Sequence, residues 1–254
     1  MENLAGAFTY AGVADAYQFR PPYPVEVFEV LERLIAASPR TVLDIGAGQG
    51  ALARPLAARV DRVDALDVAA VMIDAGRGQP GGEQPNLRWI VGAIETTPLD
   101  GPYALVTAGA SLHWMDWLPT MERLAGAMVP GAYLAIVEHG PRDMPWRADL
   151  TDVIVRHSRN PDYDPRFSLP DALAEQGLFE IVGRIQTAPV EFRQPVADYI
   201  QQFHSTSTLA REWMEAAEVA EFDGAIEHAV RPYAIDGMLT MAVVADITWG
   251  TPRL

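Results

Sequence analysis

Residues 41–50 read Thr-Val-Leu-Asp-Ile-Gly-Ala-Gly-Gln-Gly, and this stretch constrains the fold more than any other in the chain. Its first half is a short apolar run of the kind that forms a strand buried on both faces. Glycines at 46, 48 and 50 then let the backbone turn sharply and approach a ligand with no Cβ in the way. Helical periodicity resumes over Ala51–Val60. The reading is strand, loop, helix, with free N–H groups of the helix start facing whatever the loop holds.

The alternation continues. Ahead of it, Val27, Val30, Leu31, Leu34 and Ile35 recur at helical spacing after a Pro-rich entry. Beyond it, strands are predicted at Arg62–Val68, Leu87–Val91, Tyr103–Ala108 and Ala132–Glu138, with helices at Ala69–Gly76 and Pro119–Met128. A proline-interrupted stretch after Gly140 reads as a loop-and-helix cover. Phe179–Thr187 reads as a strand, Pro195–His228 as two helices and Leu239–Thr248 as a final strand. The expected fold is α/β: a Rossmann-like, doubly wound sheet of seven mostly parallel strands, the last antiparallel, with helical cover insertions. One domain over 1–254 is expected. It comprises an N-terminal lid and helix (1–37), a cofactor-binding core (38–140), covers (141–176 and 195–235) and last strands (177–194 and 236–250).

Charge narrows the partners. With 34 acidic against 19 basic residues the net charge is −15, so nucleic acids and anionic membranes are disfavoured and a small-molecule acceptor is expected. The absence of cysteine excludes disulfides and thiolate chemistry and fits a reducing compartment. No His or carboxylate spacing matches a metal site. No targeting or membrane-spanning segment is read, and the expectation is a cytoplasmic monomer or homodimer.

Asp67 ends the second predicted strand about twenty residues after the loop, where a carboxylate can accept hydrogen bonds from both ribose hydroxyls of a nucleoside. Gly46, Gly48 and Ala51 also satisfy the pattern of dinucleotide-binding proteins. Asp44 argues against that choice: a carboxylate two positions before the first glycine suits an ammonium group and opposes a pyrophosphate.

In this region the chain resembles the class I S-adenosylmethionine-dependent methyltransferases, specifically the group that includes trans-aconitate-type and natural-product enzymes. The likeness rests on Val42–Gly50, Val63–Asp67 with Val68–Met72, Ser111-Leu-His-Trp114, Val129–Leu134 and the entry Tyr17-Gln-Phe-Arg-Pro-Pro-Tyr-Pro24. It implies S-adenosyl-L-methionine as cofactor and S-adenosyl-L-homocysteine as product. By the same likeness Tyr17 and Arg20 belong to a lid over the cofactor's methionine end, and Asp44, Gly46, Ala47 and Gly48 hold its amino-acid end. Asp67 and Val68 take the ribose side, Met72 and Ile94 the two adenine faces, and Ala93, Ala108 and His113 complete the cofactor set. Two residues depart from the family pattern: Ala93, where an acidic residue often bonds the adenine amino group, and Ala104, where strand four usually carries Asp. Backbone groups over Gly92–Glu95 are expected to substitute.

Other readings compete residue by residue. Met72 fits a core position as readily as a cofactor contact. His113 and His139 are the candidate general bases, although a histidine near aromatics also serves packing. Trp114, Trp146, Tyr163 and His204 are the candidates for acceptor contact, and Arg142, Arg147, Arg156 and Arg166 are available to a carboxylate acceptor. The expected chemistry is methyl transfer to oxygen or nitrogen of a small molecule of secondary metabolism, with carboxyl methylation second. A nicotinamide-dependent oxidoreductase and a non-catalytic nucleoside-binding subunit are the alternatives.

Overall fold

The computed structural model describes residues 4–35, 37–160 and 167–253. These form two compact units, one from the described residues within 23–139, 166–188 and 244–254, the other from those within 1–22, 140–165 and 189–243.

The first unit is built on a sheet. Its strands are β1 (Thr41–Ile45), β2 (Arg62–Asp67), β3 (Leu87–Val91), β4 (Tyr103–Gly109), β5 (Met128–Arg142) and β6 (Phe179–Gln186). Two more strands follow, β7 (Val190–Pro195), which falls in the second unit, and β8 (Met238–Pro252), whose residues up to Val243 fall there as well. The order is β3-β2-β1-β4-β5-β8-β6, with β1 to β5 pairing in parallel and β6 antiparallel to β8. The sheet therefore has eight strands, not the expected seven: β7 pairs antiparallel with the first half of β8, Val190 opposite Val243 through Pro195 opposite Met238. Glu191 and Arg193 alternate with Val190 and Phe192 here, and Gln194 takes the next place on the apolar side, so β7 lacks the apolar run that marks the buried strands.

Period-two alternation accounts for the core. Val42, Val63, Leu105 and Val137 fall in one apolar cluster, with Val27 and Leu31 of the helix Val25–Leu34. Leu43, Leu66, Val106 and Ile136 fall in another, with Leu124 of the helix Trp117–Ala127. Each central strand thus feeds both clusters, and β1 is buried along its whole length.

The second unit has its own core of Trp146, Leu150, Tyr199, Phe222 and Ile226, carried by the helices Arg147–His157, Val196–Gln201 and Ala216–Val230. Among the described residues no helix is long and apolar enough to cross a membrane.

Candidate functional site

In an open parallel sheet, ligands bind beyond the carboxyl ends of the strands where the strand order reverses. Here β1 lies between β2 and β4, so the reversal falls between β1 and β4. The loop after β1 and the end of β4 flank that point.

Gly46, Gly48 and Gly50 all adopt positive φ, at 61°, 55° and 74°, where a side chain would be strained. Gly46 has a second reason to be glycine, because a Cβ there would lie 2.4 Å from Ser111 Cβ. Ser111 in turn donates its hydroxyl to the Ile45 carbonyl at 2.6 Å, tying the end of β4 to the turn after β1. The Ala47 N–H reaches the Leu66 carbonyl at 3.0 Å, tying the same turn to β2.

Two carboxyl groups hold this corner. Asp67 accepts from the Gly48 N–H at 2.7 Å and from the Ala69 N–H at 2.8 Å, clamping the glycine loop onto the end of β2. Burial raises its titration above the ordinary carboxylate range, against the opposing effect of the backbone donors. Asp44 is 1% exposed and accepts the Thr107 hydroxyl at 2.7 Å and the Ala53 N–H. Burial, with a smaller push from the nearby Asp67 charge, raises it to about 7 against the lowering effect of these two donors.

Asp44 differs from its expected role. Its oxygens serve Thr107 and the first residue of the helix Ala53–Ala57, at the root of the loop. These contacts tie the corner to β4 and to the helix start. Thr107 lies opposite Asp44 in the β1–β4 pairing, and no local sequence signal marks it.

The remaining predicted residues divide between the units. Met72 is fully buried, its terminal methyl 3.4 Å from where a Cβ on Gly48 would stand, so it forms the floor beneath the loop. Ile94 is packed in the core with Leu43, Ile45 and Leu66. Val68, beside Asp67, is exposed, Ala93 is half-buried at the first turn after β3, and Ala108 is buried in β4. His113 and Trp114 are exposed on the single turn Leu112–Trp114, their ring centroids 4.6 Å apart. His139 stacks on Tyr23, ring centroids 3.8 Å apart and planes 32° from parallel. Sequence reasoning did not single out Tyr23.

Tyr17, Arg20, Trp146 and His204 belong to the second unit. Arg20 lies over the Tyr17 ring at 4.1 Å and donates to the Ser205 hydroxyl at 2.7 Å and carbonyl at 3.0 Å. Trp146 and His204 correct an expectation: both are core residues with their polar atoms committed. Trp146 Nε1 donates to Tyr199 Oη at 2.9 Å. His204 is 1% exposed, with Nδ1 2.9 Å from the Leu209 carbonyl and Nε2 2.7 Å from Asp223. Tyr163 and Arg166 lie outside the described residues.

Comparison with known proteins finds a domain match that spans this corner. Residues 42–131 match a methyltransferase domain family. An uncharacterized methyltransferase of Mycobacterium tuberculosis is 28% identical over 224 residues, covering 79% of this chain and 87% of that protein. A trans-aconitate 2-methyltransferase of Mycobacterium sp. (strain KMS) is 34% identical over 121 residues, 46% of this chain and 45% of that one. In fold, the chain is similar to a putative type II methyltransferase from Anaeromyxobacter dehalogenans, with TM-score 0.61 at 23% identity, covering 92% of this chain and 97% of that chain. It is also similar to a methyltransferase from Geobacter sulfurreducens solved in complex with S-adenosyl-L-homocysteine, with TM-score 0.55 at 18% identity, covering 95% and 96%.

Proposed function

We propose that the chain is a class I S-adenosylmethionine-dependent methyltransferase and that it methylates an oxygen or nitrogen of a small-molecule acceptor of secondary metabolism. The observation that carries the reading is the pair of carboxyls at the glycine corner, Asp44 and Asp67, both raised by burial, with the Asp67 charge adding to the cost of ionising Asp44. A ligand bearing ammonium and sulfonium charge relieves that cost. A pyrophosphate would add to it, which disfavours a nicotinamide dinucleotide.

The residues present fit such a ligand. The glycine loop leaves backbone surface open at Gly48, where an added Cβ would meet only the Met72 methyl. Asp67 already accepts two backbone donors and still has acceptor capacity for ribose hydroxyls, since two carboxylate oxygens offer about four sites. On this reading Gly46 to Gly48 take the amino-acid end, Asp67 the ribose, and Val68, Ala93 and Ile94 the adenine side, with Met72 as the floor.

Bound S-adenosylmethionine would supply an electrophilic methyl on a sulfonium. The chain's contribution is to hold the acceptor in line with that methyl, keep water out and receive a proton. Alignment of this kind lowers a barrier by up to roughly 7–11 kcal/mol. A positioned base adds about 10²–10⁴-fold. His139, at the carboxyl end of β5, is the proposed base, and the exposed His113 is its rival. The match to a trans-aconitate 2-methyltransferase favours a second reading, a carboxylate acceptor.

Thermal shift tests the site. S-adenosylhomocysteine is expected to raise the melting temperature and NAD or NADP to leave it unchanged. Asp67→Ala should remove most of the rise. A response to NAD alone would overturn the reading. Incubation with trans-aconitate and labelled methyl donor decides the second reading.

A further inference from the structure

The proton acceptor at the end of β5 has a neighbour that the sequence pattern did not reveal. β1 and β4 pair Asp44 with Thr107, and β4 and β5 pair Gly109 with Val137. Two residues past the Asp44 pair stand Gly46 and Gly109, and two past Val137 stands His139. Adjacent strands are about 4.8 Å apart, so the row from the glycine loop to β5 crosses roughly 10 Å. His139 stands two residues beyond that row on β5.

Tyr23 closes this row from the side. It precedes the helix Val25–Leu34 by one proline, and its ring lies on the His139 imidazole with centroids 3.8 Å apart. Its hydroxyl lies 2.6 Å from where a Cβ on Gly109 would stand, so the last residue of β4 must be glycine for the tyrosine to sit there. The next residue, Ala110, holds a left-handed φ of 48°. Strain of this kind in a non-glycine residue costs about 1–3 kcal/mol and persists where the surroundings over-determine it.

We infer that Tyr23 is a positioning residue for His139: it stacks on the imidazole and fixes that ring at the joined ends of β4 and β5. The inference rests on the reading of His139 as base and deepens it. An acceptor oxygen or nitrogen forms its new bond to the methyl carbon, the electron pair of the broken carbon–sulfur bond stays on sulfur, and the acceptor's proton passes to His139. The imidazolium so formed lies against the Tyr23 ring face, well inside the roughly 6 Å range over which an aromatic face attracts a cation.

Proton NMR of the histidine rings tests this without knowledge of the acceptor, with His139→Gln assigning the signal. In the wild type the His139 ring protons should be shifted upfield by the Tyr23 ring current. Tyr23→Phe should keep the shift, and Tyr23→Leu should abolish it. S-adenosylhomocysteine should move the His139 signal in the wild type and in Tyr23→Phe, while still raising the melting temperature of Tyr23→Leu. An unshifted signal in the wild type overturns the stacking. A ligand that binds yet leaves the His139 signal in place overturns the positioning role. If S-adenosylhomocysteine binds no variant and not the wild type, the cofactor reading fails, and the ring shifts still decide the stacking.

Discussion

In the sheet unit three buried polar side chains gather at one corner: Asp44, Thr107 and Ser111 hold the turn between β1 and its helix. In the second unit the buried polar side chains pair across an apolar interior instead. Trp146 donates to Tyr199, and His204 sits between the Leu209 carbonyl and Asp223, which Arg211 also contacts at 2.9 Å. Both arrangements satisfy the rule that buried polar groups need partners. They differ in what surrounds the partners: positive-φ glycines and two raised carboxyls in one case, aromatic rings in the other. On the proposed reading, the polar cluster that bends the backbone and concentrates like charge serves a ligand. One that links helices through complementary groups is built for the fold.

The largest effect expected from this contrast is at Gly46. In Gly46→Ala the left-handed backbone costs about 1–2 kcal/mol, and crowding against Ser111 adds about 1–3 kcal/mol. Urea unfolding should show a loss near the upper end of that sum, and calorimetry should detect no S-adenosylhomocysteine binding. Gly131→Ala is the control. Its φ is 82° but nothing lies within 4 Å of an added Cβ, so only the backbone cost of about 1–2 kcal/mol applies and binding persists. Equal effects at both glycines would mean the corner is an ordinary turn.

Next comes His204→Leu, which removes the partner of Asp223 and of the Leu209 carbonyl. Arg211 still pairs with Asp223, so the loss of the two histidine contacts should cost about 1–2 kcal/mol of stability. S-adenosylhomocysteine affinity should stay within about twofold, a change under 0.5 kcal/mol. A collapse of ligand affinity with stability intact would break the contrast, since the helical interior would then belong to the ligand site.

How much of this was legible follows from what periodicity reports. Apolar runs record burial, so β1, β2 and β3 fall where the sequence placed them, and β3 matches end for end at Leu87–Val91. The helix expected over Ala51–Val60 is shorter, Ala53–Ala57, because the turn that follows the glycines extends further along the chain. The glycine corner and Asp67 were legible because their spacing is local. Partners brought by tertiary pairing were not. Thr107 is 63 residues from Asp44, and nothing around Thr107 announces that its hydroxyl meets a carboxylate. Trp146 and His204 looked like pocket residues for the same reason, since composition cannot tell an aromatic or imidazole facing a ligand from one facing Tyr199 or Asp223. Tyr23 was quoted within a motif and given no role, because its contacts with His139 and Gly109 arise only when β4 and β5 lie side by side.

The smallest effect expected is also the one that most directly probes the raised carboxyl. Burial moves Asp44 from the ordinary 3.8 to about 7, so the folded chain holds a proton there that the unfolded chain has released. The folded state binds the extra proton between those two values, and this group's contribution to stability therefore falls as pH rises through that window. Ligand binding should run the other way. An ionised Asp44 favours the sulfonium and ammonium charges, so S-adenosylmethionine affinity should rise about fivefold between roughly pH 6 and 7.5 as the carboxyl loses its proton. Calorimetric titration of wild type and Asp44→Asn at both pH values separates this from other groups. The asparagine variant, with nothing to ionise, should bind more weakly at the higher pH and show a flat profile. If the variant keeps the wild-type slope, the pH response belongs to another group, Asp67 foremost, and Asp44 is only a strut for the loop.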